Sequence, residues 1–370
     1  MPIRKKKIIV SVTNDLVSDN RVHKTVMSLI SFGYDVFLIG RKLKKSLPVE
    51  REYKTKRFRL LFKKSVFFYA EYNFRLFFFL LFSKADIFLA NDLDTLPANY
   101  LAARLKRKKI VYDSHEYFTE VPELLNRPRV KRIWEQIEKR ILPKIKYSYT
   151  VCTSIADIYN RKYDINMQVV RNIPICTNNQ DYSSPTLLTE IKDNKIILYQ
   201  GAVNVGRGLE QLIDAMQFVK NAVLLIIGDG DIKNELELRV VKNKQEEQII
   251  FTGKISFNEL FAYTKQAHIG ISIEEPIGLN YYYSLPNKLF DYIRAELPVL
   301  VSRLPETERI VNQYRVGMFI ENHNPKHIAY KINTMLNSAE DYKTWKNNLK
   351  KAASEFCWEN EENILKSLFS

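Results

Sequence analysis

Short apolar runs, each closed by a turn and followed by a longer stretch of helical spacing, recur along the whole chain. In the first half they fall at residues 8–12 (IIVSV), 34–39 (YDVFLI), 87–90 (IFLA), 110–112 (IVY) and 149–152 (YTVC). In the second half they fall at 196–200 (IILYQ), 223–227 (VLLII), 249–251 (IIF), 269–273 (IGISI) and 299–301 (VLV). Runs this short and this apolar predict strands buried on both faces. Between them, residues 22–32 predict a helix, and Leu209, Leu212, Ile213, Met216 and Val219 recur at helical spacing. The alternation predicts an α/β chain of two similar halves, each a parallel sheet covered by helices. Residues 177–194, rich in Asn, Asp, Ser, Thr and Pro, predict a linker. A first domain over 1–176, a second over 195–351 and a terminal stretch over 352–370 follow from it.

The 370 residues are enough for two domains, and 46% hydrophobic with 27% charged residues is an ordinary globular balance. Cys152, Cys176 and Cys357 are far apart and form neither a disulfide framework nor a zinc spacing, which fits a reducing compartment. The apolar stretch near the N-terminus is too short for a signal-peptide core and reads as a first strand, so a cytoplasmic protein is expected. Charge is uneven: residues 1–180 hold 35 Lys and Arg against 17 Asp and Glu. Such a basic half suits a polyanionic partner. Within it, residues 58–82 contain eleven Phe or Tyr, directly after the basic stretch 41–64. The uninterrupted apolar run 76–82 is too short to span a bilayer. A basic, aromatic helix instead predicts peripheral contact with an anionic membrane through residues 41–82, at the inner face of the cell membrane. The competing reading is an ordinary buried helix.

Ligands of parallel sheets bind beyond the C-terminal strand ends, and the turns there carry the candidate chemistry. Arg207 opens a helix between Gly206 and Gly208, and Lys288 opens another after Pro286-Asn287. A cation at a helix start opposes the helix dipole, so it is a poor choice for stability alone. Beside free N–H groups, however, it suits a phosphate. Asp291, one turn further on, is placed to accept both hydroxyls of a ribose. Glu275 and Gly278 lie in the loop before it. In the first half, Asn14 and Arg21 flank the first helix start, Asp92 and Asp94 stand in NDLD, and Asp113, His115 and Glu116 in DSHE. The spaced pair Asp92 and Asp94 is a weak metal signature.

These residues carry a family resemblance. Gly278-Leu279-Asn280 followed by Ser284 to Tyr292 (SLPNKLFDY) and then Leu297-Pro298-Val299 resembles the donor motif of retaining glycosyltransferases of the GT-B fold, in the GT4-type group. The branch is the one written around SLPNKLFEY. Asp291 replaces the usual glutamate, Glu296 stands where glycine is common, and the first cation of the usual pair is missing after Gly201. Glu275 precedes Asp291 by sixteen positions where the pattern has eight.

The resemblance implies two Rossmann-like domains with parallel sheets facing across a cleft, and a final helix over 352–370 returning to the first domain. It implies a nucleoside diphosphate sugar as donor, UDP-linked in preference to GDP-linked, with no metal and no bound cofactor. The donor would be held by Gly201, Gly206, Arg207, Gly208, the turn Gly253, Lys254 and Ile255, and by Gly278, Leu279, Asn287, Lys288, Leu289 and Asp291. His115, Arg207, Lys288 and Glu275 would serve the reaction. Asn14, Arg21, Asp92, Asp94, Asp113 and Glu116 would face the acceptor, a glycan or a lipid-diphosphate-linked sugar of cell-surface polysaccharide assembly. A sugar-nucleotide epimerase shares the architecture but needs an acid–histidine arrangement not identifiable here. A nucleic-acid-binding or scaffold protein explains the basic half but leaves Arg207, Lys288 and Asp291 without a task, so no nucleic-acid partner is expected.

Overall fold

The computed structural model describes residues 4–17, 19–176, 191 and 194–370, the side chains of 257 and 258 excepted. Most of the linker expected at 177–194 lies outside the described residues. The chain forms two compact units. One comprises Met1–Asn172 with Glu361–Ser370, the other Ile173–Asn360.

The first unit is built on β1 (Lys7–Ser11), β2 (Asp35–Arg41), β3 (Lys54–Phe58), β4 (Ile87–Asn91), β5 (Lys109–Ser114), β6 (Tyr147–Thr150) and β7 (Gln168–Val169). Their order in the sheet is β3-β2-β1-β4-β5-β6-β7, and every pairing is parallel. Chain order reverses between β1 and β4, so the loops after these two strands diverge and leave a crevice at their C-terminal ends. Among the helices, α1 (Asn20–Ser31) follows β1, α2 (Ser65–Phe82) follows β3 and α3 (Leu96–Lys106) follows β4. The strand β3 escapes the apolar-run pattern because it is an edge strand, KTKRF, in which Phe58 is buried and Lys54 and Lys56 are exposed. α2 seats Phe68, Tyr72, Leu76 and Leu80, four residues apart, and the last three join a core cluster with Ile9, Ile39 and Phe88.

The second unit has β8 (Lys195–Gln200), β9 (Ala222–Ile227), β10 (Ile249–Gly253), β11 (Ile269–Ser272), β12 (Val299–Ser302) and β13 (Gly317–Ile320), in the order β10-β9-β8-β11-β12-β13 and again all parallel. Its reversal lies between β8 and β11. The helices that matter for the site follow these strands: α7 (Leu209–Met216) after β8, α9 (Phe257–Gln266) after β10, and α11 (Asn287–Arg294) between β11 and β12. Both sheets are thus parallel and helix-covered, as the spacing of apolar runs predicts.

The final helix, α15 (Trp358–Phe369), ends within the first unit. There Arg171 pairs with Glu361 at 2.8 Å, and the Tyr34 hydroxyl donates to Phe369 O at 2.9 Å. The expectation that the cysteines form no framework is corrected by the structure. Cys176 and Cys357, 181 positions apart in sequence, are joined as a disulfide in the second unit. Distance along a chain says nothing about where the chain returns. Cys152 is buried and outside the disulfide.

Leu224, on β9, is fully buried in the core of the second unit among Ile197, Leu212 and Ile226. Leu224→Ala should lower stability by roughly 2–5 kcal/mol. Chemical denaturation of the full chain would show it, and a loss under about 1 kcal/mol would contradict the packing described.

Candidate functional site

In the second unit the site lies at the ends of β8 and β11. Glu274, just past β11, is completely buried. The Ser272 hydroxyl donates to its Oε2 at 2.8 Å, while its Oε1 lies 3.0 Å from Lys288 Nζ and 3.7 Å from Arg207 Nη1. Burial alone would raise the pKa of this carboxyl. Lys288, then Arg207, then the Ser272 hydrogen bond outweigh that and hold it below its ordinary value. Two cations therefore share one carboxylate, leaving the cluster a net positive charge. Each cation also rests on an aromatic face: Lys288 Nζ is 3.9 Å from the Tyr199 ring centre and the Arg207 guanidinium 4.8 Å from that of Tyr281. Among the described residues, neither Arg207 Nε nor Lys288 Nζ has an aligned hydrogen-bond acceptor. A buried positive cluster with unspent donors is suited to an anion.

Backbone turns bring these groups together. Gly208, at φ +70°, caps α7 directly after Arg207. A Cβ there would lie 2.4 Å from Ile273 O, so only glycine lets the Arg207 turn close against the end of β11. On α11, Lys288 and Asp291 stand three residues apart. Asp291 accepts a hydrogen bond from Gln200 Nε2 at 3.1 Å, and the Thr264 hydroxyl donates to Gln200 Oε1 at 2.8 Å. Asp291 is thereby fixed at the end of β8. Glu296, after α11, adopts φ +55°, a left-handed conformation that glycine takes at no steric cost.

In the first unit the strand ends carry an opposite arrangement. Asp113, at the end of β5, is fully buried and is gripped by Arg21 through Nη2 at 2.7 Å and Nε at 3.2 Å. Arg21 Nη1 donates to Val170 O at 3.0 Å. His115 lies between two carboxylates, with Nδ1 3.2 Å from Asp92 and Nε2 3.1 Å from Asp113. Burial would lower the imidazole pKa, but Asp92 and Asp113 raise it to about 9. Asp113 itself is depressed to about 2, because Arg21 and His115 outweigh its burial. Asp94 is pushed up to about 7 by burial and by Asp92, although the Thr13 hydroxyl donates to it at 2.5 Å. Asp92 has φ +59°, a left-handed conformation that aspartate tolerates better than most residues. Its carboxylate accepts from the His115 backbone N–H at 2.8 Å.

The comparisons with known proteins agree with this architecture. The family model described as Glycosyltransferase Family 4 matches residues 19–176, and the one described as Glycosyl transferases group 1 matches residues 188–352. The chain belongs to the GT4-type glycosyltransferases of the GT-B fold. Two uncharacterized glycosyltransferases of Methanocaldococcus jannaschii are each 28% identical to it, over 174 and 178 residues, which is 45% of this chain in both cases. The matches span 43% and 48% of those relatives, less than half of their length. Among solved structures, a sucrose-phosphate synthase from Thermosynechococcus elongatus superimposes with a TM-score of 0.78 at 17% identity, covering 99% of this chain and 98% of that one. Anabaena HepE in complex with UDP and glucose gives 0.76 at 13% identity, covering 98% and 99%. At such identities these two likenesses establish the fold.

Within this GT-B chain the residues singled out from sequence sort into three groups. Arg207, Lys288 and Gly208 meet at one point with Gly201, whose Cβ position would lie 3.5 Å from Lys288 Cε. Gly206, with Gly208, shapes the same turn, and its carbonyl accepts from Glu275 N at 2.9 Å. Asp92, Asp94, Asp113 and His115 likewise cluster. A second group stays on the periphery. Lys254 is exposed beside Gly253 and Ile255, Asn14 and Asn287 are exposed, and Leu279 is 46% exposed. Gly278, at φ 174°, is simply extended, and Glu116 is half-buried.

The third group is corrected by the structure. Leu289 is buried in the core and its N–H donates to Pro286 O, so neither part is available to a ligand. Arg21 does not reach outward, because neutralising buried Asp113 consumes it. Glu275 is not the carboxylate that meets the cations; its neighbour Glu274 is. Both acids lie beyond Ser272, the last residue of β11, so strand alternation does not tell them apart in the sequence.

His115 should titrate near pH 9, and Asp113→Asn should bring it down towards 6.5, as read by NMR of the imidazole ring. A raised folded-state pKa means that the stability contributed by the charged ring is fully present below about pH 6.5 and is lost as pH rises through about 9. A His115 midpoint near 6.5 in the unaltered protein would refute the charged imidazolium.

Proposed function

We propose that this protein is a retaining glycosyltransferase that moves a sugar from a nucleoside diphosphate sugar, UDP-linked in preference to GDP-linked, to a glycan or lipid-diphosphate-linked acceptor of polysaccharide assembly. The observation that carries the reading is the Arg207–Glu274–Lys288 cluster at the reversal point of the second sheet. A solved structure of the same fold is described as a complex with UDP-glucose, which supports the donor class.

In this reading the diphosphate lies against Arg207 and Lys288. Their unspent donors take its oxygens, and the α7 N-terminal N–H groups add their dipole. Glu274 keeps both cations in place and leaves a net charge for the incoming anion. Asp291, braced by Gln200, accepts the ribose hydroxyls. As the bond between the sugar and the diphosphate breaks, negative charge grows on the leaving oxygen, and the fixed cations stabilise it. That oxygen takes the acceptor proton on the face where the new bond forms, so configuration is retained. Arg207 and Lys288 supply the positive charge that a divalent ion supplies in other transferases, so the reaction is metal-independent. The first unit serves the acceptor side, where His115 is held in place between Asp92 and Asp113.

Arg207→Ala and Lys288→Ala should each weaken UDP binding by about tenfold or more in calorimetry, the loss expected for one charge-assisted hydrogen-bonded contact. Asp291→Ala should weaken binding of UDP but not of pyrophosphate. Turnover should persist in EDTA, with the product anomer matching the donor by NMR. Unchanged UDP affinity in both cation variants would remove the phosphate assignment.

A further inference from the structure

α2 is apolar on two opposite faces, and only one of them is covered. Phe68, Tyr72, Leu76 and Leu80 are buried against the first unit's core. Phe67, Phe74, Phe78 and Phe82 project from the other side, 41–79% exposed, and fall within one narrow stripe of the helix. An apolar helix face of this kind normally lies in a core or on a partner. The stripe is continued by the loop before the helix. There the Glu71 carboxylate accepts hydrogen bonds from the backbone N–H groups of Leu61 and Phe62 at 2.9 Å each and so holds these two exposed residues in place. The Phe62 ring packs on Phe67 with centres 5.4 Å apart. The exposed apolar surface is therefore built into the fold.

Cations border this ridge at both ends. At the start of α2, a groove of about 620 Å³ is lined by Arg41, Lys42, Lys44, Arg59 and Lys63 together with Phe62. Along its later turns, a groove of about 760 Å³ presents Lys7, Lys56, Arg75 and Lys84 around Phe78 and Phe82. Among the described residues no acidic residue lines either groove, although Arg75 is paired with Glu71 at 2.7 Å. Across residues 41–84 there are thirteen Lys or Arg and three Glu.

We infer that this face is the docking surface for an anionic phospholipid bilayer, with the phenylalanines entering the acyl boundary and the two cationic grooves taking headgroup phosphates. The charge pattern selects that occupant. A protein partner matching two separate cationic grooves and an aromatic ridge needs an equally specific surface, whereas a bilayer presents apolar depth and diffuse negative charge together. α2 has the length and hydropathy of a spanning helix. Crossing a membrane would strip its buried face from the sheet, so it lies in the interface plane. The inference goes beyond the proposed transfer reaction and does not depend on it.

The test uses the full chain with vesicles of phosphatidylcholine alone or with roughly one third phosphatidylglycerol. Co-sedimentation should occur with the anionic vesicles and should weaken as salt rises. Phe74→Gln, Phe78→Gln and Phe82→Gln together, or Lys44→Glu with Lys63→Glu, should each cut the partition coefficient about tenfold or more, since apolar burial and cation–headgroup attraction both contribute to partitioning. These positions lie outside the core and outside the UDP site, so circular dichroism and UDP binding should be unchanged. Equal binding to both vesicle types, no binding to either, or full binding by both variants would overturn the inference. So would sedimentation velocity showing a dimer without lipid that the phenylalanine variant abolishes, because the face would then join two copies. Loss of UDP binding with intact vesicle binding would count against the transferase reading alone.

Discussion

One buried carboxylate organises the candidate site of the second unit. Glu274 has no access to solvent, and an isolated charge there would be held at a cost of several kcal/mol. It is tolerated because Lys288 and Arg207 both lie against it and Ser272 donates to its second oxygen. The dependence runs both ways. Lys288 is almost fully buried and sits at a helix start, where the dipole disfavours a cation, and Glu274 at 3.0 Å offsets that. The carboxylate thus stores two cations in a position that neither would hold by itself. The surplus positive charge suits the site to an anion.

The first unit uses the same economy with the signs reversed. Three aspartates converge at its strand ends, and Arg21 and His115 compensate two of them. Asp94 is the one whose negative charge is least compensated, and its carboxyl accordingly rises to about 7. Both clusters sit at the reversal of strand order in their own sheet. That placement follows from topology: diverging loops leave backbone and side chains exposed there and pack them elsewhere.

The proposed membrane face and the proposed donor site fall on different elements of the chain. The aromatic stripe of α2 belongs to the helix that follows an edge strand, remote in sequence from the glycine turns around Arg207. The inner face of α2 is needed for the core, which leaves the outer face free to vary without disturbing the sheet. A helix can therefore acquire an outward apolar side at little expense to the fold.

Much of this was written in the sequence. Uniformly apolar runs such as VLLII and VLV can only be strands covered on both faces, and their spacing leaves room for one helix each, so two parallel sheets follow. Gly206-Arg207-Gly208 and Pro286-Asn287-Lys288 likewise announce helix starts bearing cations. Edge strands were less legible, because β3 buries little and reads as a polar segment. Which acid meets the cations, whether Arg21 points in or out, and the joining of Cys176 to Cys357 belonged to the tertiary structure alone. Each depends on where distant segments come to rest: Arg21 turns inward only because Asp113, 92 positions later, is buried beside it. Local periodicity is set by the nearest neighbours in the chain, whereas the pairing of buried charges is set by neighbours in space, and a single sequence encodes the first far more openly than the second.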